Sequence, residues 1–206
     1  MRRYVMIKKL SLFATLTVLS FLLACGELGK VDQGRVIEFD RGKGTVTIIR
    51  DKKADPKNPD YSYLPPVIYE MPKDPAEIGA LPKAGKRMKL DTGNSQIVIF
   101  DTATQNFKTI TYKLIEQKEN VGKEDPLVYD KTADKPGNFP VIDREKKIIT
   151  VYSKRQKVLT TFSLPAEYFT LPDNTWDSGD EARIYYKEEG KARRFMNVSK
   201  IDIFKK

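Results

Sequence analysis

The stretch Gly34–Arg50 has the sequence GRVIEFDRGKGTVTIIR, and it decides the fold class of this chain. It contains two runs rich in β-branched and aromatic residues, one on each side of the loop Arg41–Gly44. Such runs are typical of strands, and a short glycine-containing loop between them is typical of a β-hairpin. The stretch therefore predicts two antiparallel strands joined by a tight turn.

Strand patterns of the same kind continue along the chain. Thr92–Ser95 separates two further apolar runs and predicts a second hairpin, and residues 107–116 alternate between apolar and polar side chains. Later strand patterns cover residues 139–143, 148–152, 158–164, 181–187 and 192–204. Pro75–Ala80 and Pro165–Thr170 resemble helical turns, and no segment keeps a helical period over ten residues. We therefore expect a mainly β, antiparallel fold with short helices.

The two halves of the chain resemble each other in the order of their parts. Residues 36–49 and 140–152 both contain a strand, an aspartate-led turn and a second strand, and both 82–91 and 176–185 contain a glycine that enters a strand. This repeat predicts two tandem small antiparallel β-barrels of the OB-like type. The predicted boundaries are module 1 at 31–116, a linker at 117–135 and module 2 at 136–206. SH3-like barrels, one continuous sandwich, or two unrelated sheets with similar hairpins remain open alternatives.

The N-terminus has the charge and hydropathy profile of an export signal. Its basic residues are Arg2, Arg3, Lys8 and Lys9. An apolar run without acidic residues follows over 10–24, which is short for a stable membrane span of roughly 20 residues. The segment is therefore predicted to target the chain for export.

The end of this run is Leu22-Leu23-Ala24-Cys25, which contains the one cysteine of the sequence. It resembles the lipobox of bacterial lipoproteins. The resemblance implies removal of residues 1–24 as a signal peptide, acylation of Cys25, and a short tether over 25–30. It further implies attachment to a membrane through the N-terminal lipid, with the body facing the periplasm; an ordinary signal with an incidental cysteine is the alternative. More than one acyl chain gives stable attachment.

The composition excludes several kinds of chemistry. The formal net charge is +9, and four of these charges belong to the export segment. There is no histidine, and Cys25 would be consumed by lipid. Ser-His-Asp and Cys-His catalysis and histidine-ligated metals are therefore excluded. We expect a binding or structural protein without catalysis, metal or cofactor, and the partner would be an envelope protein or an anionic polymer.

A basic and aromatic surface is the best candidate site. Its residues are Tyr152, Lys154, Arg155, Tyr186, Arg193, Arg194 and Phe195, with Lys146, Lys147, Lys157 and Lys191 nearby. In an OB-like groove, such cations would hold acidic groups and the aromatic faces would stack on sugars or rings. The expected ligands are anionic glycans or lipid headgroups, and nucleic acid is not expected outside the cytoplasm. The favoured alternative is that these residues have no ligand. They would then lie on the solvent-exposed face of a sheet, where charged side chains prevent edge-to-edge aggregation.

Acidic residues offer two weaker candidate sites. The loop 51–60 contains several side chains with oxygen atoms that could bind calcium, namely Asp51, Asp55, Asn58 and Asp60. A plain turn loop is favoured, because the glycine and the glutamate of an EF-hand loop are absent. Four aspartates lie at strand ends: Asp40, Asp91, Asp101 and Asp143. A facing pair among them would serve an envelope hydrolase, although aspartates at strand ends more commonly start turns. Trp176, the one tryptophan, is predicted to cap a barrel or to face a ligand.

Three runs in the body resemble an uncharacterised family of lipoproteins from sulfate-reducing bacteria. They are Gly44–Arg50, Asn106–Ile110 and Tyr186–Phe195. The resemblance covers most of the chain after the export segment and implies no particular activity.

Overall fold

The computed structural model describes residues 28–53, 55 and 59–201. Contacts divide the chain into two units, Met1–Lys30 and Val31–Lys206, and the second holds nearly all of the described residues. The predicted signal 1–24 and the predicted lipidation site Cys25 lie outside the described residues.

Strands dominate the described part of the chain. They are Lys30–Asp40 (β1), Thr45–Arg50 (β2), Tyr63–Glu70 (β3), Arg87–Asp91 (β4), Gln96–Asp101 (β5), Asn106–Thr111 (β6), Lys113–Lys118 (β7), Tyr129–Asp130 (β8), Lys135–Pro136 (β9), Val141–Asp143 (β10), Ile148–Ser153 (β11), Val158–Ser163 (β12), Glu181–Glu188 (β13) and Lys191–Asn197 (β14). Four short 3-10 helices span Pro75–Glu77, Ala166–Thr170, Asp173–Thr175 and Val198–Lys200. The mainly β class is confirmed, and both predicted helical turns contain a 3-10 helix.

Five strands close into a barrel in the order β1-β13-β14-β3-β2. Strands β1 and β2 form a hairpin in which Asp40 pairs with Thr45 next to the turn. This is the hairpin predicted from the sequence of Gly34–Arg50. The carboxylate of Asp40 accepts a hydrogen bond from the backbone N–H of Lys43 at 2.9 Å, and Gly44 takes a positive φ of 64°. Strand β14 runs parallel to β3, where Lys191 pairs with Glu70.

Alternating side chains of these strands fill the barrel. The buried residues of this core are Val36, Val46, Ile48, Tyr69, Ala182, Ile184, Tyr186, Ala192 and Phe195. Because neighbouring residues on a strand point to opposite faces, every second residue is enclosed. The barrel therefore has an apolar interior.

Between β3 and β13 the chain leaves the barrel and forms a sandwich of two sheets. Their strand orders are β4-β5-β6 and β10-β11-β12-β7. The residue between β6 and β7, Tyr112, is buried and stacks on Phe162 with ring centroids 4.5 Å apart. The predicted single strand over 107–116 therefore divides at Tyr112 and contributes to both sheets.

A second apolar layer joins the barrel to the sandwich. Ile37, Ile49 and Tyr61 from the barrel side form a cluster with Met88 and Phe100 from the sandwich. The sheet β4-β5-β6 also contributes to the core of the sandwich through its other face. It is therefore covered on both faces, and barrel and sandwich share one layer of side chains.

The two chain crossings between barrel and sandwich meet at a pair of glycines. Gly85 donates its backbone N–H to the carbonyl of Val36, and Val36 donates to the carbonyl of Asp180. Gly179 has a φ of +63°, and a Cβ on it would lie 2.3 Å from the carbonyl oxygen of Val36. Only glycine fits such a close approach with this backbone conformation.

The strand pairing corrects the predicted division into two tandem modules. Strands β13 and β14, assigned by sequence to the second module, complete the barrel that β1, β2 and β3 begin. Three strands from the first half cannot close a barrel, and the two C-terminal strands pair with their free edges. The predicted linker 117–135 contains the end of β7 and most of the β8–β9 hairpin. The strand predicted over 192–204 ends at Asn197.

Candidate functional site

A cavity of about 1730 Å³, which we call the cleft, lies between the barrel and the sandwich. Its walls come from β1, from the loop before β3, from β4, from the β8–β9 hairpin and from the turn between β11 and β12. Ligand pockets for small molecules usually measure about 300–1,000 Å³. The cleft is therefore large enough for an extended ligand.

The lining of the cleft is basic and aromatic. Its basic residues are Arg35, Lys53, Lys83, Arg87, Lys89, Lys123, Lys131, Lys154, Arg155 and Lys200, against the acidic residues Asp60, Glu124, Asp134, Asp177, Asp180 and Glu181. Five aromatic residues also line it, namely Tyr61, Phe107, Tyr129, Phe139 and Tyr152. Ten basic side chains outnumber six acidic ones, so the cleft carries a positive field.

Several of the acidic side chains are already engaged. Asp177 forms an ion pair with Lys83, Glu181 lies 3.5 Å from Arg155, and Asp180 lies 3.6 Å from Lys200. The carboxylate of Asp134 accepts a hydrogen bond from the Tyr129 hydroxyl at 2.6 Å. Lys89 pairs with Asp91 outside the cleft, and the other six basic side chains of the lining form no ion pair within the described part of the chain.

Three lysines at the exposed part of the cleft, which we call the mouth lysines, are Lys123, Lys131 and Lys154. All three side chains are exposed, and none of them forms an ion pair within the described part of the chain. Solvent-exposed ammonium groups attract anions over roughly one Debye length, about 10 Å at 0.1 M salt. The mouth lysines are therefore placed to draw an anionic ligand into the cleft.

Arg35 is buried at the inner end of the cleft. Its Nη1 donates to the carbonyls of Arg87 and Met88, both at 3.0 Å. The guanidinium also stacks on the Tyr61 ring, 4.2 Å from the ring centroid. Burial lowers the pKa of Arg35, and the neighbouring Tyr61 opposes this shift. The side chain thus binds β4 to the barrel through the backbone.

Arg87 follows Gly85 at the crossing from the barrel to the sandwich, and it is also buried. Its Nε donates to the carbonyl of Trp176 at 2.9 Å. Burial and the charge of Arg35 lower the pKa of Arg87, the charge of Asp177 opposes them, and the resulting pKa is about 10. The guanidinium remains protonated at neutral pH.

Tyr61 completes the inner end of the cleft. It is 7% exposed, and its hydroxyl has no hydrogen-bond partner in the described part of the chain. Burial raises the pKa of this hydroxyl, while the charge of Arg35 lowers it. The ring therefore serves mainly as a flat surface for the Arg35 guanidinium.

Contacts within the sandwich hold the turn between β11 and β12, and Arg155 of this turn pairs with Glu181 of the barrel strand β13. The Tyr152 hydroxyl donates to the carbonyl of Val121 at 2.9 Å, and Gln156 Nε2 donates to the carbonyl of Leu90 at 3.1 Å. Phe139 packs on Tyr152 with ring centroids 5.9 Å apart. These contacts fix the wall of the cleft that carries Lys154 and Arg155.

The structure divides the predicted basic and aromatic surface into separate places. Tyr152, Lys154 and Arg155 do line the cleft. Tyr186 and Phe195 are instead buried in the barrel core, at 6% and 1% exposure. Both occupy inward positions of their strands, so the prediction that they contact a ligand is corrected.

The remaining two residues of the predicted surface lie on the outside of the barrel. Arg193 and Arg194 are exposed on β14 and do not line the cleft. The Nε of Arg194 donates to the Glu77 carboxylate at 2.6 Å, which raises the pKa of Arg194 and lowers that of Glu77. They are therefore not part of one groove with Tyr152.

The four aspartates considered for a hydrolase all start turns. Each carboxylate accepts a backbone N–H two or three residues later, at 2.9 Å for Asp40, Asp101 and Asp143 and at 3.1 Å for Asp91. These hydrogen bonds lower the pKa of Asp40, Asp101 and Asp143, and those from Lys89 and Asn94 lower the pKa of Asp91 to about 2. None of the four lines the cleft.

The loop considered for calcium is held by its own backbone. Asp51 accepts the N–H groups of Lys53 and Asp60 at 3.0 and 2.7 Å, and Asp60 accepts that of Ser62. Across the described residues, no three or more Asp, Glu, Cys or His side chains are grouped as metal ligands. Trp176 is 1% exposed and belongs to the sandwich core, so it neither caps the barrel nor faces a ligand.

Arg35, Arg87 and Tyr61 were missed by the sequence analysis. Arginine in a strand usually faces water, and nothing in the runs around Gly34 or Lys86 indicates burial. The burial depends on contacts between β1 and β4, which lie about 50 residues apart in the chain. The sequence contains no local signal for that contact.

The family of the chain follows from comparison with known proteins. Residues 27–206 match the family described as a domain of unknown function (DUF4881), and the chain belongs to it. Searches of curated proteins and of solved structures found no match. Within the described residues, no helix is both long and apolar enough to cross a membrane.

Proposed function

We propose that this protein is a lipid-anchored binding protein of the bacterial cell envelope that faces the periplasm. Its cleft binds an anionic polymer, specifically an acidic polysaccharide, and does not catalyse a reaction. The observation that carries the proposal is the lining of the cleft, where ten basic side chains meet six acidic ones and five aromatic rings. Cations hold carboxylate or phosphate groups, and aromatic faces stack on sugar rings.

The size of the cleft favours a polymer over a single lipid headgroup. A volume of about 1730 Å³ exceeds that of typical small-molecule pockets, which hold one compact ligand. Arg35 and Arg87 come from β1 and β4, and the mouth lysines come from the loop before β8, the β8–β9 hairpin and the turn after β11. A chain with repeated negative charges contacts several of these cations at once.

The strand order of the barrel supports the same kind of ligand. Numbered along the chain, its strands are adjacent in the order first, second, third, fifth, fourth, and the third and fifth are parallel. We propose that it is a single OB-type barrel into which the sandwich is inserted between the third and fourth strands. Barrels of this type bind oligosaccharides and oligonucleotides.

The anchoring part of the proposal depends on the N-terminal sequence. Cys25 follows Leu22-Leu23-Ala24 at the end of an export signal. The family match begins at residue 27, so the segment with the signal stands apart from the matched domain. Acylation of Cys25 would hold the binding domain at the membrane surface.

Binding of polygalacturonate to the full-length protein in detergent tests the ligand proposal. Replacement of Lys123, Lys131 and Lys154 by glutamine should weaken binding strongly. A control variant with Lys113, Lys187 and Arg193 replaced by glutamine removes the same charge outside the cleft and should bind like the wild type. Wild-type binding that is absent, or that does not weaken with added salt, would refute the proposal.

Cell fractionation tests the anchor. The wild-type protein should incorporate labelled palmitate and remain with membranes, and the Cys25→Ala variant should do neither. Membrane attachment of the variant through its N-terminus would show that acylation of Cys25 is not the anchor.

A further inference from the structure

Two buried guanidinium groups at the inner end of the cleft lack a carboxylate partner. Arg35 is 9% exposed and Arg87 is 6% exposed, and neither forms an ion pair within the described part of the chain. The charge of Glu181 acts on Arg35 and that of Asp177 acts on Arg87, but these carboxylates form their ion pairs with Arg155 and Lys83. Burial of an uncompensated charge is unfavourable, so these two cations call for an explanation.

Both arginines keep unused donors. Arg87 donates from Nε to Trp176, and its two terminal nitrogens have no partner among the described residues. Arg35 donates from Nη1 to two carbonyls, and its Nη2 has no such partner. Arg35 Nε is fully enclosed and also has no partner, whereas the unpartnered terminal nitrogens are not fully enclosed. Since both residues line the cleft, their free donors are open to it.

Each guanidinium is held firmly by the groups behind it. The Tyr61 ring and the carbonyls of Arg87 and Met88 fix Arg35, and the carbonyl of Trp176 fixes Arg87. The planar fork of an arginine matches the oxygens of a carboxylate or a phosphate. A preorganised fork loses little conformational entropy when such a group binds.

We propose that Arg35 and Arg87 together bind one oxyanion group, a carboxylate or a phosphate, of the ligand that occupies the cleft. This inference rests on the proposed function and deepens it. The mouth lysines attract the anionic chain, and the arginine pair fixes one of its acidic groups at the inner end. Arg35 and Arg87 are then the residues that set the register of the ligand.

Isothermal titration of the full-length protein in detergent with inorganic phosphate and with digalacturonate tests this site. Arg87→Lys keeps the charge but removes the forked donors, and it should weaken binding of the preferred probe at least tenfold, since a lost charged hydrogen bond has about that effect. The matched control is Arg50→Lys, because Arg50 stacks on Tyr63 at 3.9 Å outside the cleft. The control should bind like the wild type. The probe that binds more tightly identifies the source of the oxyanion.

The wild-type protein supplies a second measurement if Arg87→Lys does not fold. Phenylglyoxal modifies accessible arginines, and mass spectrometry locates the products. Digalacturonate or phosphate should protect Arg87 from modification and should leave Arg193 unprotected. Equal modification of Arg87 with and without both probes, or unchanged affinity in Arg87→Lys, would overturn the inference.

The two proposals fail in different ways. If the mouth-lysine variant loses polygalacturonate while Arg87→Lys retains full affinity for every probe, the cleft binds polymers but the arginine pair is structural. If the wild type binds neither the polymer nor the small probes, the proposed function itself fails.

Discussion

Replacement of Gly85 by alanine should strongly destabilise the fold. A Cβ at this position would lie 2.3 Å from the backbone nitrogen of Gly179 and 2.5 Å from the carbonyl oxygen of Asp177. Both neighbours are backbone atoms, so no side chain can rotate away. The backbone would have to move by roughly 1 Å to restore ordinary contact distances.

This movement acts on the junction between barrel and sandwich. Gly85 donates to Val36 at 3.0 Å, and Arg87 donates from its backbone N–H to Asp177 at 2.8 Å. Overpacking costs about 1–3 kcal/mol, and each weakened backbone hydrogen bond costs about 1 kcal/mol. We therefore expect the free energy of unfolding to fall by about 4 kcal/mol, which for a chain of this size lowers Tm by about 8–16 °C.

Thermal unfolding followed by circular dichroism measures this effect, and Gly122→Ala is the control. No atom lies within 4 Å of a Cβ built on Gly122, so its replacement should change the free energy of unfolding by no more than about 0.5 kcal/mol. If Gly85→Ala melted within about 2 °C of the wild type, the close packing of the two crossings would be refuted.

Three further changes test other parts of the structure. Phe162→Ala should lower the free energy of unfolding in urea by about 3–5 kcal/mol, because Phe162 is fully buried against Tyr112, whereas Leu114→Ala at a 42% exposed site should cost less than about 0.5 kcal/mol. Tyr61→Phe should leave Tm unchanged or raise it, because it removes a buried hydroxyl without a partner and keeps the ring under Arg35; a clear loss would contradict this. The Asp91 carboxylate, whose pKa is lowered to about 2 by Lys89 and Asn94, stabilises the fold above its unfolded pKa near 3.9, and this contribution disappears as the pH falls toward 2. The Tm difference between wild type and Asp91→Asn should therefore shrink between pH 5 and pH 2, and a constant difference would contradict the assignment.

Local elements could be predicted well because their signals are local. The turn Arg41–Gly44 between two β-branched runs identifies the first hairpin, and Asp40 caps it as its sequence indicates. Proline at the start of short segments identifies the 3-10 helices at Pro75–Glu77 and Ala166–Thr170. Each of these features depends on residues within about ten positions of one another.

The closure of the barrel could not be predicted in this way. Strand β1 neighbours β13, about 145 residues later, and the parallel contact between β3 and β14 joins Glu70 to Lys191. The alternation of apolar and polar residues says which face of a strand is buried, but it does not say which strand lies beside it. The apparent repeat therefore predicted two barrels, whereas the C-terminal strands complete the first.

The candidate site was predicted in part for the same reason. Tyr152, Lys154 and Arg155 lie near each other in sequence, and they share one wall of the cleft. Phe195 also lies beside basic residues in the sequence, as Tyr152 does. Its position on β14, however, places its side chain in the barrel core. The buried position of Arg35 depends on β4, which no local pattern connects with β1.

The most direct test of the central claim is the dissociation constant of polygalacturonate measured at low and at physiological salt. The mouth-lysine variant should bind about 10- to 100-fold more weakly than the wild type at low salt, if each of the three ammonium groups contributes about 0.5–1 kcal/mol. Lys113, Lys187 and Arg193, replaced together by glutamine, should leave the affinity within about twofold, and the difference between the two variants should shrink as salt is added. Equal loss of affinity in both triple variants would show that the whole basic surface attracts the polymer, and it would contradict the claim that the cleft is the binding site.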